Sequence, residues 1–455
     1  MPGQTRILII SDQPQRLFSQ ITFAIALTKY GYNIAFVFAE EYDMNYQIKL
    51  KENKIHVFHF KDKKETKNHV ESEYRNNYIK RKVKKNSVIQ VVLLFLYLLK
   101  FNRFLQYAKG IIDEYKPHVI ILNGDRSGVS LEQAFLKQAK RRGIKTLMPY
   151  NSVISNGITF RLNNSYEEFK IVSLFDKLIF WKFPFLKKST DDNEIVFYDS
   201  VTALTLKLVG TLSSNPWFVG NGLLDKVCIN NKNTLIKNSN EINFPDKFEI
   251  VGDLVYDFLY DTLNRKSKIE AEIRNRYKLK TGKKIILIAL PQFYEHKILD
   301  QESHRNEINY ILESVTSSKE NVLVSLHPKM QMKNYKFLEK DFGCKVLKEP
   351  LQEVLAIADL FVSINSSTID WAILLGIKVV MMDYFNLDSS YFFDFRSISF
   401  VSEKAKLQSV IRKSLSSKTD FSDDWELLDR EKVLQGNIME NYHKLIQQIV
   451  ISRKQ

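Results

Sequence analysis

Short apolar runs alternate along this chain with stretches whose apolar residues return every three or four positions, the pattern of strands alternating with amphipathic helices. In the first third, residues 6–10 read as a buried strand, 18–30 as a helix stopped at Gly31, and 33–39 as a second strand. The charged, His-containing stretch 61–77 reads as loop, and a long helix follows over 88–115. A strand at 117–122 enters the turn Asn123-Gly124-Asp125-Arg126-Ser127-Gly128. A helix over 130–142 then closes at Gly143, before a strand at 145–148. Strands joined through helices in this order give a parallel sheet with right-handed crossovers.

The alternation lapses over 157–215, where 177–188 is aromatic and basic without a clean period, and resumes near 248. Strands are then expected at 285–290, 322–326, 345–347, 360–364 and 379–382, with helices at 304–317, 351–358 and 368–375. Asn230, Asn231, Asn233, Asn238 and Asn240 form a polar stretch that reads as the domain boundary. The expected fold class is α/β: two Rossmann-like domains facing a cleft, over 1–240 and 241–425. A C-terminal segment, 426–455, continues an amphipathic helix over 425–450 that is expected to pack back across the first domain. No short-period repeat is present, which excludes a solenoid.

The length of 455 residues suits two domains, and 44% hydrophobic residues are enough for sizeable cores. A net charge of +15, from 67 Lys and Arg against 52 Asp and Glu, suits nucleic acid, an anionic membrane or an anionic substrate. No zinc-finger spacing, RNP-like strand or basic heptad region is present, which points away from nucleic acid. Cys228 and Cys344 cannot build a disulfide framework, which favours a reducing compartment. The N-terminal residues read as strand and turn rather than secretory signal. The longest apolar stretch, 88–99, is interrupted by Lys100 and falls short of the roughly 20 residues of a spanning helix. The basic run 78–85, with Lys80, Arg81, Lys82, Lys84 and Lys85, suits either a solvated face or a lipid headgroup interface. Phe180, Trp181, Phe183 and Phe185, interleaved with lysines, suit the interface. The expectation is a cytoplasmic protein held peripherally on an anionic membrane surface.

Two stretches carry candidate chemistry. The strand Val322-Leu-Val-Ser-Leu ends in His327-Pro328-Lys329, which puts a histidine at the carboxyl edge of a parallel sheet, where ligands bind in open α/β folds. Pro328 biases His327 towards an extended backbone. Such a histidine donates to a phosphate oxygen, or is satisfied by a neighbouring carbonyl. In Asp359-Leu-Phe-Val-Ser-Ile-Asn365-Ser366-Ser367-Thr368-Ile-Asp370, a strand turns through three hydroxyl residues into a helix. Free N–H groups and the helix dipole favour an anion there, and simple N-capping is the alternative. A third element is Asp125, displayed after a strand and Gly124. It is a candidate base for an acceptor hydroxyl, or a cap for the turn and the next helix.

The pair His327-Pro328 and Ser366-Ser367 resembles the HP and SS motifs of bacterial GT-B transferases that use CMP-activated sugars, the sialyl- and Kdo-transferases of capsule and lipopolysaccharide synthesis. It is also similar to the pair in CDP-glycerol-dependent teichoic acid polymerases. The resemblance covers roughly 285–384, and Asn215 to Gly222 with Ile250 to Asp253 looks like the interdomain passage of such proteins. It implies a glycosyltransferase in which His327, Ser366, Ser367 and Thr368 bind the phosphate of a nucleotide-activated sugar. Its partner would be a glycan or lipid-linked acceptor, with transfer inverting and independent of metal or cofactor. Gln292, His296, Lys329 and Glu349 are candidates to line the donor site. The Asp/Glu-Asp-Gly motif of CMP-sialic acid enzymes is not matched at Asp125. Gly124-Asp125-Arg126 also resembles hydrolysing UDP-N-acetylglucosamine 2-epimerases, whose His-Arg-x-Glu-Asn motif is not matched by Leu290 to His296. An epimerase or hydrolase of nucleotide sugars is therefore the alternative enzyme, and a non-catalytic nucleotide- or carbohydrate-binding protein the third reading.

Overall fold

The computed structural model describes residues 4–11, 17–38, 44–60, 86–149, 169–190, 193–295, 298–385 and 387–451. The first sheet holds β1 (Arg6–Ser11), β2 (Asn33–Phe38), β3 (His56–His59), β4 (Val119–Ile121), β5 (Lys145–Pro149), β8 (Lys226–Ile229) and β9 (Phe248–Ile250). Its seven strands run parallel in the order β3-β2-β1-β4-β5-β8-β9. Between β5 and β8 a small hairpin, β6 (Lys187–Thr190) and β7 (Asn193–Val196), pairs antiparallel on its own. The second sheet holds β10 (Ile285–Ala289), β11 (Asn321–Ser325), β12 (Lys345–Val346), β13 (Leu360–Ser363), β14 (Lys378–Met382) and β15 (Ile398–Val401). These strands are parallel in the order β12-β11-β10-β13-β14-β15. Ile7 to Ile10 and Ile285 to Ile288 are fully buried, as strands covered on both faces must be, which is why they read as unbroken apolar runs. Both sheets have the doubly wound order, which places ligands beyond the carboxyl ends of the strands.

Three expectations are corrected. The boundary at 240/241 moves, because β9 pairs with β8 and carries the first domain to Ile250. The asparagine-rich stretch is no solvated linker: Asn231 caps the helix Lys232–Lys237, and Asn230, Asn231, Asn233 and Thr234 are buried. Second, the tail helix is broken into Ser422–Leu427, Arg430–Val433 and Ile438–Ile451. Gly436 turns with φ 70° against Tyr260, where a Cβ would lie 2.7 Å from the ring and strain any other residue. Third, the rings of 180–185 do not all face outward. Phe180 and Phe183 pack in a satellite core with Leu186, Val196, Tyr198 and Leu206, while Trp181 is exposed. The basic run 78–85 lies outside the described residues.

The last helix does cross back to the first domain. Its buried face, Ile438, Tyr442, Leu445, Ile446 and Ile449, shares one core with Ile7, Leu17, Phe23 and Leu27. The Phe23 and Tyr442 rings meet edge to face at 4.9 Å, and the Tyr32 hydroxyl lies 2.8 Å from His443 Nδ1.

The domains are joined by buried polar groups where their carboxyl edges meet. Asn231, two residues past β8, donates to Asp370 Oδ2 at 3.1 Å, and Asp370 sits on the helix that follows β13. Tyr391 donates to the same oxygen at 3.0 Å, and Asn233 donates to the Tyr391 carbonyl at 3.2 Å. Burial pushes the Asp370 carboxyl up to about 7, against the lowering effect of the Tyr391 and Asn231 hydrogen bonds. Asp253, on the connection between the domains, is likewise raised to about 6 by burial. A carboxyl whose folded pKa is raised holds a proton that the unfolded chain has released. Stability therefore falls as pH rises from about 4 and the loss is complete above the folded pKa, up to roughly 4 kcal/mol for Asp370. Asp370→Asn should flatten the decline of melting temperature between pH 5 and 8 and leave the variant more stable than the parent at pH 8. Thermal unfolding across that range checks it, and parallel pH profiles would contradict the burial of a proton at this junction.

Candidate functional site

In the second sheet β10 has β11 on one side and β13 on the other, so the strand order reverses between β10 and β13. That reversal opens a crevice above the carboxyl ends, because the crossovers diverge to opposite faces. Ile288 of β10 pairs with Val324 of β11 and with Val362 of β13, so all three strands share one level. His327 and Ser366 stand three and four residues beyond that level, on either side of β10. The strands that lead to them lie two strand spacings apart, about 10 Å.

The local geometry orients each group. His327 Nδ1 accepts from the Lys329 N–H at 3.2 Å, across Pro328. With Nδ1 used as acceptor, a neutral ring carries its proton on Nε2. The hydroxyl turn is partly a cap: Ser366 Oγ accepts from the Thr368 N–H at 3.3 Å and lies 2.9 Å from Thr368 Oγ1. Ser367 stands at the N-cap position with helical backbone angles and makes no capping hydrogen bond. Asn365 donates to the carbonyls of Leu387 and Asp388, which ties the loop after β14 to the turn after β13.

The other candidates divide. Gln292 is half-buried at the end of β10, between the two motifs. Lys329 is exposed beside His327. His296 lies outside the described residues. Glu349 is engaged within its own domain, with Oε1 on Arg276 and Oε2 accepting from the Tyr277 hydroxyl at 2.6 Å and from the Lys348 N–H at 3.2 Å. That carboxylate braces the helix before β10, so the expectation that it lines the donor site is not met. Among the described residues no group of three or more His, Cys, Asp and Glu side chains is placed to hold a metal ion.

Asp125 also departs from expectation. Its side chain is fully buried, and its carboxylate accepts from the Gly220 N–H at 3.0 Å and the Gly222 N–H at 2.7 Å. Glu132 secures the same turn, accepting from the Asn123 N–H and the Ser127 hydroxyl. A Cβ on Gly222 would lie 2.7 Å from Asp125 Oδ2, so the glycine is required for this approach. Asp125 is thus a clamp between the turn after β4 and the passage Asn215 to Gly222, rather than a carboxylate open to an acceptor.

One constellation escaped the sequence. The Tyr335 hydroxyl donates to Glu295 Oε1 at 2.6 Å and lies 3.0 Å from Nε2 of the buried His304. It ties the loop after β10 to the segment after β11. Its members lie 31 and 40 positions from Tyr335, so no local spacing announces them.

A family described as CDP-Glycerol:Poly(glycerophosphate) glycerophosphotransferase matches residues 250–375, the segment that holds β10 to β13 and both motifs. No curated protein matches the chain. Among solved structures, UDP-GlcNAc 2-epimerase from Methanocaldococcus jannaschii is similar over 98% of this chain and 99% of its own, with 12% identity and a TM-score of 0.50. The Neisseria meningitidis UDP-GlcNAc 2-epimerase is similar over 98% and 100%, with 12% identity and a TM-score of 0.51. The calicheamicin glycosyltransferase CalG4 is similar over 100% and 95%, with 14% identity and a TM-score of 0.51. The fold is GT-B. Identity this low establishes architecture, and the chemistry must come from the site.

The clamp makes a clear prediction. Asp125→Ala leaves two buried N–H groups without partners and should cost about 2–4 kcal/mol of stability. Denaturant unfolding checks it. A stable Asp125→Ala variant that has lost only turnover would instead restore the role of base.

Proposed function

We propose that this protein is a glycosyltransferase-type enzyme that uses a cytidine-activated donor, a CMP-sugar or a CDP-linked group, and transfers to a glycan or lipid-linked acceptor of capsule or lipopolysaccharide type. The observation that carries this reading is that the strands leading to His327 and to Ser366–Thr368 flank β10 on either side of the switch point. The family match over the same segment supports a cytidine diphosphate donor.

In this reading the donor phosphate lies between the two motifs. The His327 ring and the Ser367 hydroxyl donate to its oxygens, beside the positive end of the helix Thr368–Leu374. As the bond to the transferred group breaks, negative charge grows on the departing nucleotide phosphate, and these fixed donors stabilise it. The acceptor oxygen attacks from the side of the first domain as the nucleotide leaves with the electron pair of the broken bond, and the acceptor's hydroxyl proton passes to solvent. Asp125 remains bound to Gly220 and Gly222 and takes no proton.

Acceptor-dependent release of CMP from CDP-glycerol or a CMP-sugar tests the proposal. Turnover of UDP-GlcNAc without acceptor would favour the epimerase alternative, and nucleotide binding without turnover would favour a binding protein. His327→Ala should lower kcat by about 100-fold with the melting temperature retained, as loss of one phosphate donor does. Normal turnover by that variant removes His327 from the site. The double variant Ser366→Ala, Ser367→Ala should weaken donor affinity about tenfold while costing about 1 kcal/mol of stability, the loss expected of a cap. Isothermal calorimetry with CDP separates the two effects, and unchanged affinity reduces the motif to capping.

A further inference from the structure

The helix Ser87–Tyr115 has 29 residues, and by length and composition it is long and apolar enough to cross a membrane. Its second half is built into the first domain, where Phe101, Phe104, Ala108, Ile111 and Ile112 pack against β1, β4 and the helix Leu131–Arg141. Its first half is different. Val88, Val91, Val92, Phe95, Leu96 and Leu99 are 41–73% exposed. At 3.6 residues per turn these positions fall on one face, a stripe about 17 Å long. The opposite face is held throughout: Gln90, buried near the start, donates to Asp176 at 2.9 Å and accepts from the Ser173 hydroxyl at 2.8 Å.

Charge decides what covers the stripe. Arg103 continues it along the same face and Lys100 flanks it, both exposed, and the helix has no acidic residue before Asp113. The neighbouring helix Leu174–Lys182 repeats the composition, with exposed Leu174, Leu178 and Trp181 beside Lys177 and Lys182. An apolar face closed by cations and free of carboxylates matches the boundary between acyl chains and anionic headgroups. A second copy of the chain would meet the same cations and offer no opposite charge on this face. The stripe is also shorter than the roughly 30 Å of a hydrocarbon core, and the helix is pinned at Gln90 and from Phe101 onwards, so it cannot stand across a bilayer.

We infer that the face formed by Val88, Val91, Val92, Phe95, Leu96 and Leu99 docks the protein on an anionic lipid bilayer, with the helix lying in the plane of the interface and Lys100 and Arg103 at the headgroups. The inference is independent of the donor chemistry.

Co-sedimentation of the full chain with phosphatidylglycerol-containing and pure phosphatidylcholine vesicles tests it. The parent should bind the anionic vesicles, and Phe95→Glu with Leu99→Glu should lower partitioning at least tenfold at unchanged melting temperature. Phe95→Ser with Leu99→Ser, a milder pair, should do the same in direction. Lys100→Gln with Arg103→Gln should lower binding severalfold, abolish the preference for anionic lipid and leave a salt-insensitive remainder. Equal binding by parent and glutamate variant, or no binding by the parent, overturns the inference. So does a dimer of the parent in light scattering that the glutamate pair converts to monomer, since the face would then join two copies. None of these readouts uses turnover, so failure here leaves the proposed reaction untouched.

Discussion

The junction between the two sheets is the constraint on which the site depends. In a doubly wound fold each sheet makes its own crevice, and a transferase needs the two to face each other. Asn231, Asp370 and Tyr391 supply that orientation by joining the loop after β8 to the elements after β13 and β14. The groups are buried, so a separated junction would leave several polar atoms to find water or remain unpaired. Asp370 belongs to the helix that begins at the hydroxyl turn. The residue that locks the domains therefore lies two positions from Thr368, and movement of one domain against the other would be felt at the hydroxyl turn.

Around that junction the chain spends its polar residues on holding loops rather than on open chemistry. Asp125 clamps Gly220 and Gly222, and Glu132 secures the turn that carries Asp125. Asn365 fastens the loop after β14, and Tyr335 with Glu295 fastens the loops after β10 and β11. His327 and Ser367 differ from these. The ring of His327 accepts from the Lys329 N–H, and Ser367 is not used as a cap. In the proposed reaction, fixed donors on held loops suit chemistry in which positioned dipoles, rather than a mobile acid, stabilise the leaving group.

The docking face and the site belong to different layers of the same domain. The helix Ser87–Tyr115 runs from its exposed half into the core that supports β1 and β4, whose carboxyl ends form the first domain's side of the cleft. A protein seated on lipid by this helix would hold that cleft at a fixed relation to the membrane. An acceptor anchored in the bilayer would then meet a donor bound in the second domain.

The central alternation of strands and helices was legible from the sequence alone, because strands buried on both faces are continuous apolar runs and the crossovers keep a helical period, whereas β3, β8, β15 and the hairpin of β6 and β7 were not read. His327 and the turn Ser366–Thr368 were legible for the same reason, as each directly follows such a run. The crossing back of the last helix was readable from its amphipathic face. What the sequence could not decide was whether a polar residue faces outward or inward. Asp125, Glu349 and the asparagines of 230–240 carry no local mark of burial, and their partners lie 95 residues away at Gly220, 73 away at Arg276 and 139 away at Asp370. The same limit applied to the rings of 180–185, where only packing against Val196 and Leu206 separates buried Phe180 from exposed Trp181. Periodicity is a local property of the chain, while hydrogen-bond partners and buried faces are set by segments brought together only when both sheets have formed.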